Sequence, residues 1–95
     1  EIDAETQVIV TSGCTEALAG AFLGLLDPGD EVVMFEPYYD SYVACAAMAG
    51  ATVRAVTLRP PPPDVRVGMD VPAGEQAFAF DEAELRAAFT PRTRM

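Results

Sequence analysis

The amino-acid sequence predicts an α/β fold, in which a mainly parallel sheet is flanked by helices. Short β-branched runs alternate with segments of helical periodicity over residues 7–58, and proline or glycine lies at most of the joints. Each helical segment is long enough to connect two parallel strands. The chain has 95 residues, so it is one small domain at most, or a piece of a larger one.

The first predicted elements are a strand, a helix and a second strand. Residues 7–11 form a continuous β-branched run, typical of a strand covered on both faces. Apolar residues recur every three or four positions over residues 15–26, which indicates an amphipathic helix. Residues 27–30, Asp-Pro-Gly-Asp, end that helix and are typical of a type II turn. The second strand is predicted at residues 31–35.

A second helix, a third strand and an irregular segment follow. The helix is predicted at residues 39–49, and Gly50 suits the position just after its end, where a left-handed backbone favours glycine. The strand is predicted at residues 51–58. We expect residues 58–76 to be an irregular surface excursion, because the four consecutive prolines at 60–63 favour an extended polyproline conformation.

The last predicted elements are a short helix and the start of a strand. Asp81 is predicted to cap the helix, with Glu84 three residues later in a capping box, and the helix extends to about Phe89. Residues 92–95 are predicted to open another strand. We expect the 95 residues to be part of one larger α/β domain, because three strands with helices need more cover than they provide.

The composition excludes several classes of function. Six basic against fifteen acidic residues give a net charge of −9, which argues against a nucleic-acid or anionic-membrane binder, since both partners require a basic surface. The sequence contains no lysine, histidine, asparagine or tryptophan. A Schiff-base lysine, a histidine base, a histidine metal site and a Ser-His-Asp triad are therefore excluded. We expect no catalytic residue and no metal ligand in this chain.

The cysteines and the N-terminus indicate a cellular location. Cys14 and Cys45 match neither a CxxC motif nor a disulfide scaffold, so we expect two free thiols in a reducing compartment, with Cys45 in the core. The acidic N-terminus predicts no signal peptide. The longest apolar stretch is far shorter than the roughly 20 residues that span a bilayer. These features predict a cytoplasmic protein without membrane association.

The first candidate site is the connection between residues 7–11 and the following helix. Free backbone N–H groups at a helix start bind anions. Gly13 allows close approach of a ligand, and the Thr15 hydroxyl can donate to a phosphate oxygen. The alternative is an ordinary turn before a helix. The sequence is neither GxGxxG nor a Walker A motif, so a dinucleotide or nucleoside triphosphate is disfavoured.

The second candidate site is the Glu36–Asp40 segment after the second strand. Both connections follow carboxyl ends of parallel strands, the edge at which open α/β sheets bind ligands. We predict that a planar ring stacks on Tyr39 while its phosphate lies at Thr15, with Tyr38 as the packing residue. The alternative is that both tyrosines only pack. The nearby acidic residues are not an obvious catalytic pair, and most of the three are predicted to be solvated; they are Glu31, Glu36 and Asp40.

Three segments together carry a resemblance to a known family. They are residues 8–18 (VIVTSGCTEAL), residues 27–32 (DPGDEV) and residues 36–42 (EPYYDSY), in this order. At their spacing they resemble the class I/II aminotransferases, fold type I enzymes that depend on pyridoxal 5′-phosphate (PLP). The resemblance is greatest to the kynurenine, methionine and succinyldiaminopimelate aminotransferases, and it resumes over residues 80–95.

The resemblance implies a three-layer α/β fold, of which this chain is a fragment of the large domain. It implies that Gly13, Cys14 and Thr15 hold the PLP phosphate through backbone amides and that Tyr39 stacks on the pyridine ring. It implies amino-group transfer between an amino acid and a 2-oxo acid by a homodimer. The family's Schiff-base lysine lies further along the chain, so we expect these 95 residues alone to be inactive and to bind PLP weakly.

Two other kinds of function are consistent with the same residues. PLP-dependent C–S lyases and aminocyclopropane-carboxylate synthases share a similar loop and the Pro-Tyr-Tyr run. A noncatalytic α/β module that binds a phosphorylated ligand or a protein would also account for the loop and the exposed tyrosine.

Overall fold

The computed structural model describes residues 1–60 and 78–95. Helices and strands alternate along these two ranges. They are α1 (Cys14–Leu25), β1 (Glu31–Glu36), α2 (Asp40–Met48), β2 (Thr52–Thr57) and α3 (Glu82–Ala88). Each lies where the sequence predicts it, to within one residue at either end.

The sheet is parallel, with β1 between its two neighbours. β1 and β2 pair in register over their full lengths, beginning with Glu31 opposite Thr52. On the other edge of β1, Thr93 bridges to Glu31, also in parallel orientation. Residues 92–95 therefore begin to extend the sheet, as predicted.

Helices cover both faces of this sheet. On one face, α1 and α2 pack against β1 around a buried apolar cluster, which consists of Phe22, Leu26, Val32, Cys45, Ala46 and Ala49. Side chains alternate along a strand, so Phe35 and Val56 lie on the opposite face. There Val56 is fully buried, and the ring of Phe35 lies 5.2 Å from that of Phe80, just before α3. The predicted α/β class with flanking helices is confirmed.

The C-terminal ends of α1 and α2 meet at two glycines. Gly29 (φ 95°) lies in the predicted turn, which the Asp30 amide closes by donating to the Asp27 carbonyl at 3.0 Å. Gly50 (φ 72°) follows α2 as predicted, and its carbonyl accepts a hydrogen bond from the Gly29 amide at 3.0 Å. A Cβ at Gly50 would lie 3.2 Å from the Cα of Pro28, so both conformation and contact require glycine.

Residues 7–11 do not form the predicted strand. Nothing in the described ranges pairs with them, and Val8, Ile9 and Val10 are 52%, 87% and 93% exposed. The β-branched run supplies a local preference, but a strand forms only where a neighbouring strand completes its hydrogen bonds. The prediction of a strand is therefore wrong for this structure.

The excursion predicted at residues 58–76 lies almost entirely outside the described residues, as do the prolines at 61–63. The structure does describe the two positions that flank it. The amide of Arg59 donates to the carbonyl of Ala79, and the amide of Ala79 donates to the carbonyl of Arg59, both at 2.8 Å. This antiparallel bridge returns the chain to β2 before α3 begins. Assignment of all 95 residues to one domain stays a prediction.

Solvated charge is predicted for most of Glu31, Glu36 and Asp40, but Glu31 is buried, with 1% of its side chain exposed. It connects β1 to β2 and to residues 90–92. Its Oε1 accepts hydrogen bonds from Arg54 of β2 at 2.9 Å and from Arg92 at 2.8 Å. Its Oε2 accepts from the Thr90 hydroxyl at 2.6 Å. The hydrogen bond from Arg54, followed by those from Thr90 and Arg92, lowers the pKa of Glu31 from 4.5 to about 2.

This pKa predicts how stability depends on pH. The folded pKa of Glu31 lies below the unfolded value, so the unfolded chain binds more protons between about pH 2 and pH 4.5. We expect the stabilisation from Glu31 to be complete above about pH 4.5 and to be lost as the pH falls through about 2. The measurement is the free energy of unfolding in urea, for the native chain and for Glu31→Gln, at several pH values. A stability difference that does not change with pH would contradict a role for the ionised carboxylate.

Candidate functional site

The first predicted site residue, Gly13, is the N-cap of α1 and has a φ of 84°. The loop before it is tight, because the Gly13 amide donates to the Thr11 carbonyl at 2.9 Å and the Thr11 hydroxyl donates to the Gly13 carbonyl at 3.0 Å. No side chain caps the helix. Cys14 and Thr15 form the exposed first turn, so their amides are available to an external acceptor.

One acidic side chain folds back over this loop. The carboxylate of Glu16, in the first turn of α1, accepts a hydrogen bond from the backbone amide of Ser12. The contact satisfies a donor in front of the helix and fixes the Thr11–Gly13 turn from its outer side. It also places a negative charge beside the exposed first turn, which opposes the binding of an anion.

Tyr39 is the N-cap of α2, so it too lies at a helix start. Its side chain is 63% exposed, whereas Tyr38 is 37% exposed. The prediction that Tyr38 is the more packed of the two agrees with these values. The ring of Tyr39 meets that of Tyr42, one turn into α2, edge to face at a centroid distance of 6.1 Å. The Tyr39 ring is therefore in contact with Tyr42 while much of it stays accessible.

The connections of the chain place these two helix starts at one end of the helical layer. α1 leads through the 27–30 turn into β1, and β1 leads through residues 37–39 into α2, so both helices run antiparallel to β1. Their C-terminal ends meet at the contact between Gly29 and Gly50. Both N-terminal ends consequently lie towards the end at which β1 finishes.

The groups at these two helix starts fit a cofactor that has both a phosphate and a planar ring. Nothing lies within 4 Å of the position that a Cβ would take on Gly13, so a ligand can approach the loop backbone. The amides of Cys14 and Thr15 and the Thr15 hydroxyl are donors suited to phosphate oxygens. Tyr39 offers the aromatic surface for a ring. Which of these four residues contact a cofactor stays a prediction.

Other chemistry expected from the sequence can also be compared with the structure. Cys14 is exposed, Cys45 is buried, and both are free thiols. Across residues 1–60 and 78–95, no three Cys, Asp or Glu side chains are grouped so that they could hold a metal ion. None of the helices in those ranges has the length and apolar character needed to cross a membrane.

Sequence reasoning missed a polar network at the carboxyl ends of β1 and β2. The predicted cap of α3 is present, with Asp81 accepting hydrogen bonds from the amides of Ala83 and Glu84 at 2.7 and 2.9 Å. The carboxylate of Glu84 does not complete the capping box. It instead accepts from the Thr57 amide at 3.2 Å and from Arg59 at 2.5 Å. These contacts depend on how close α3 lies to the end of β2 in the folded chain. A local sequence pattern does not contain that information.

Comparison with known proteins identifies the family. Residues 1–84 match the family described as aminotransferase class I and II. Over 94 residues the chain is 50% identical to the probable N-succinyldiaminopimelate aminotransferase of Mycobacterium tuberculosis. Over 96 residues it is 41% identical to kynurenine–oxoglutarate transaminase 1 of Rattus norvegicus. These alignments cover 99% and 100% of this chain, and 20% and 22% of the two relatives.

A solved structure agrees with the sequence relatives. The N-succinyldiaminopimelate aminotransferase of Mycobacterium tuberculosis superposes with a TM-score of 0.73 at 49% identity, covering 96% of this chain and 20% of that one. The chain therefore belongs to the class I and II aminotransferase family, and the resemblance stated from its sequence is confirmed. It spans about a fifth of the length of the relatives it matches.

Proposed function

We propose that this chain supplies the phosphate-binding loop and the ring-stacking aromatic residue of a PLP site, in a protein that transfers an amino group between an amino acid and a 2-oxo acid. The loop consists of Gly13, Cys14 and Thr15, and the aromatic residue is Tyr39. The substrates, a homodimeric assembly and a cytoplasmic location are parts of the same proposal. Membership of the aminotransferase family supports the substrates.

The observation that carries the proposal is the pairing of two unlike helix starts at one end of the structure. One has a glycine at φ 84° and no side-chain cap, which suits an anion held by backbone amides. The other has an exposed tyrosine whose ring contacts Tyr42, which suits a flat ring. An ordinary turn before a helix would explain the first feature without explaining the second.

The roles of these residues in such a site are binding and orientation. Bound PLP would supply the electron sink for chemistry at the substrate α-carbon. The amides of Cys14 and Thr15 would hold the phosphate, the Thr15 hydroxyl would donate to one of its oxygens, and Tyr39 would fix the plane of the ring. The chain contains no lysine, so the covalent attachment of PLP must come from residues outside these 95.

A chimera tests the proposal under conditions where the remaining parts of the enzyme are present. Residues 1–95 replace the matching fifth of the Mycobacterium tuberculosis relative, and PLP affinity is measured by absorbance titration. We expect Gly13→Val to raise the Kd for PLP about 10-fold or more, because a β-branched residue strains a positive φ. We expect Tyr39→Ala to raise it about 3- to 10-fold through the loss of ring stacking.

Matched variants separate binding from folding in this chimera. Tyr39→Phe keeps the ring and should retain PLP affinity close to that of the parent chimera. Gly20→Ala changes an exposed glycine of α1 that has nothing within 4 Å of its would-be Cβ, and it should have no effect on PLP. Far-UV circular dichroism checks that all variants are folded. Equal PLP affinity in the parent chimera, Gly13→Val and Tyr39→Ala would refute the proposed site.

A further inference from the structure

A hydrogen-bonded network joins the ends of β1 and β2 to the start of α3. The Thr57 hydroxyl, at the end of β2, donates to the carboxylate of Glu36, at the end of β1, at 2.5 Å. The Thr57 amide donates to Glu84 of α3 at 3.2 Å. Thr57 is thus held from both sides, by its side chain towards β1 and by its backbone towards α3.

Arg59 completes the network from the α3 side. Its guanidinium donates to the carboxylate of Glu84 at 2.5 Å and to the Thr57 carbonyl at 3.3 Å. Its backbone is fixed in turn by the bridge to Ala79. The hydrogen bond from Arg59, followed by that from the Thr57 amide, lowers the pKa of Glu84, so this carboxylate stays ionised near neutral pH.

The network ends next to the Tyr39 connection. Glu36 is the last residue of β1, and residues 37–39 lead directly from it to the N-cap of α2. Much of the Tyr39 ring is exposed. Packing alone therefore constrains it little, and its orientation depends on how firmly the backbone before it is held. The Glu36 carbonyl accepts a hydrogen bond from the Leu58 amide at 2.7 Å, and the Thr57 hydroxyl holds the Glu36 side chain at the same point. Both contacts fix the end of β1 from which this connection leaves.

We propose that Thr57 and Glu84 are positioning residues, which set the orientation of Tyr39 by anchoring Glu36 at the end of β1. The inference rests on the proposed function, since it assigns a task to residues that support the ring-stacking tyrosine. Neither Thr57 nor Glu84 is proposed to contact the cofactor. They act through Glu36 and through the short connection to Tyr39.

The experiment compares Thr57→Val and Glu84→Gln with the control Glu82→Gln, in the chimera described above. Glu82 lies in the same first turn of α3, is exposed, and pairs with Arg86 at 2.7 Å on the helix surface. Two readouts are used: the Kd for PLP, and the induced circular dichroism of bound PLP, which reports how the ring is held. A third readout needs no cofactor. It is the NMR signal of the Tyr39 ring in the tyrosine-labelled chimera without PLP.

We expect Thr57→Val and Glu84→Gln to raise the Kd for PLP about 3- to 10-fold and to weaken the induced dichroism, because each removes a hydrogen bond that fixes geometry. Their Tyr39 ring signals should shift. Thr57→Ser keeps the hydroxyl and should restore all three readouts, while Glu82→Gln should match the parent. Far-UV circular dichroism of each variant distinguishes positioning from a general loss of folding, and the serine rescue assigns the effect to the hydroxyl.

Different results would contradict the positioning role of Thr57 and Glu84 and the ring-stacking role of Tyr39. If Tyr39→Ala weakens PLP binding but Thr57→Val and Glu84→Gln behave like Glu82→Gln in every readout, the positioning role is wrong and the proposed site stands. If Tyr39→Ala has no effect on PLP, the ring-stacking role of Tyr39 is wrong, and the positioning role is wrong with it. A Thr57→Ser variant that behaves like Thr57→Val would also refute the role of the hydroxyl.

Discussion

Glu31→Ala is expected to destabilise this chain more than the removal of any surface carboxylate. The substitution deletes the acceptor shared by Arg54, Arg92 and Thr90 and leaves the two guanidinium groups next to each other without a counter-charge. Because Arg54 and Arg92 are 43% and 68% exposed, water partly screens their repulsion, and most of the loss comes from the buried hydrogen bonds to Glu31 and the space that its side chain fills. We expect the midpoint of thermal unfolding, followed by circular dichroism, to fall by roughly 10 °C or more.

Two further variants sharpen this test. Glu82→Ala removes a surface carboxylate that pairs with Arg86, and it should change the midpoint by only about 2–4 °C at most. Glu31→Gln keeps the shape and one acceptor, so it should fall between Glu31→Ala and the native chain. If Glu31→Ala unfolds no more easily than Glu82→Ala, then the hydrogen bonds from Arg54, Thr90 and Arg92 to Glu31 contribute little to stability.

The second large effect is expected at Gly50. Alanine there must adopt a φ of 72°, and its Cβ would lie 3.2 Å from two atoms of Pro28, so that Pro28 must shift by a few tenths of an ångström. Backbone strain and overpacking together should lower the free energy of unfolding by about 2–4 kcal/mol. Urea unfolding at neutral pH measures this value.

Gly20→Ala is the matched control for Gly50→Ala. Gly20 lies inside α1, has an ordinary helical φ and has nothing within 4 Å of its would-be Cβ. Alanine should therefore raise the free energy of unfolding by about 0.5–1 kcal/mol, through helix propensity alone. A similar, small effect of alanine at both positions would show that the contact between the two helix ends is not tight.

The elements that the sequence predicts well are those specified by adjacent residues. The turn at residues 27–30, the end of α2 at Gly50 and the N-cap at Asp81 each depend on a backbone conformation or a capping oxygen that one residue type provides. The periodicity of apolar residues also predicted which faces of the helices pack against the rest of the structure. The order of strand, helix and strand over β1, α2 and β2 followed from these local signals.

What the sequence does not predict depends on residues far apart in the chain. Residues 7–11 have the composition of a strand, but pairing needs a neighbour that the described structure does not contain. Glu31 receives hydrogen bonds from residues 23, 59 and 61 positions away. No local pattern separates such a carboxylate from a solvated one, although an acidic residue at the start of a central strand is an unusual choice.

For the candidate site, too, local features could be predicted from the sequence and contacts that depend on the loop shape could not. The glycine before α1 and the tyrosine before α2 were identified because helix starts and strand ends have recognisable residue preferences. The Glu16 contact with Ser12 was not, since a first-turn acid is common and its partner depends on the shape of the loop. The family resemblance added the expectation that the phosphate and the planar ring belong to PLP, which spacing alone does not provide.

The shared direction of α1 and α2 has an electrostatic consequence. Each helix presents the positive end of its peptide dipoles at its start, so two partial positive charges lie at the same end of a chain whose net charge is −9. A phosphate group would be repelled at long range and attracted only within a few ångströms. Added salt should therefore speed its approach to these 95 residues while weakening its hold on them only slightly.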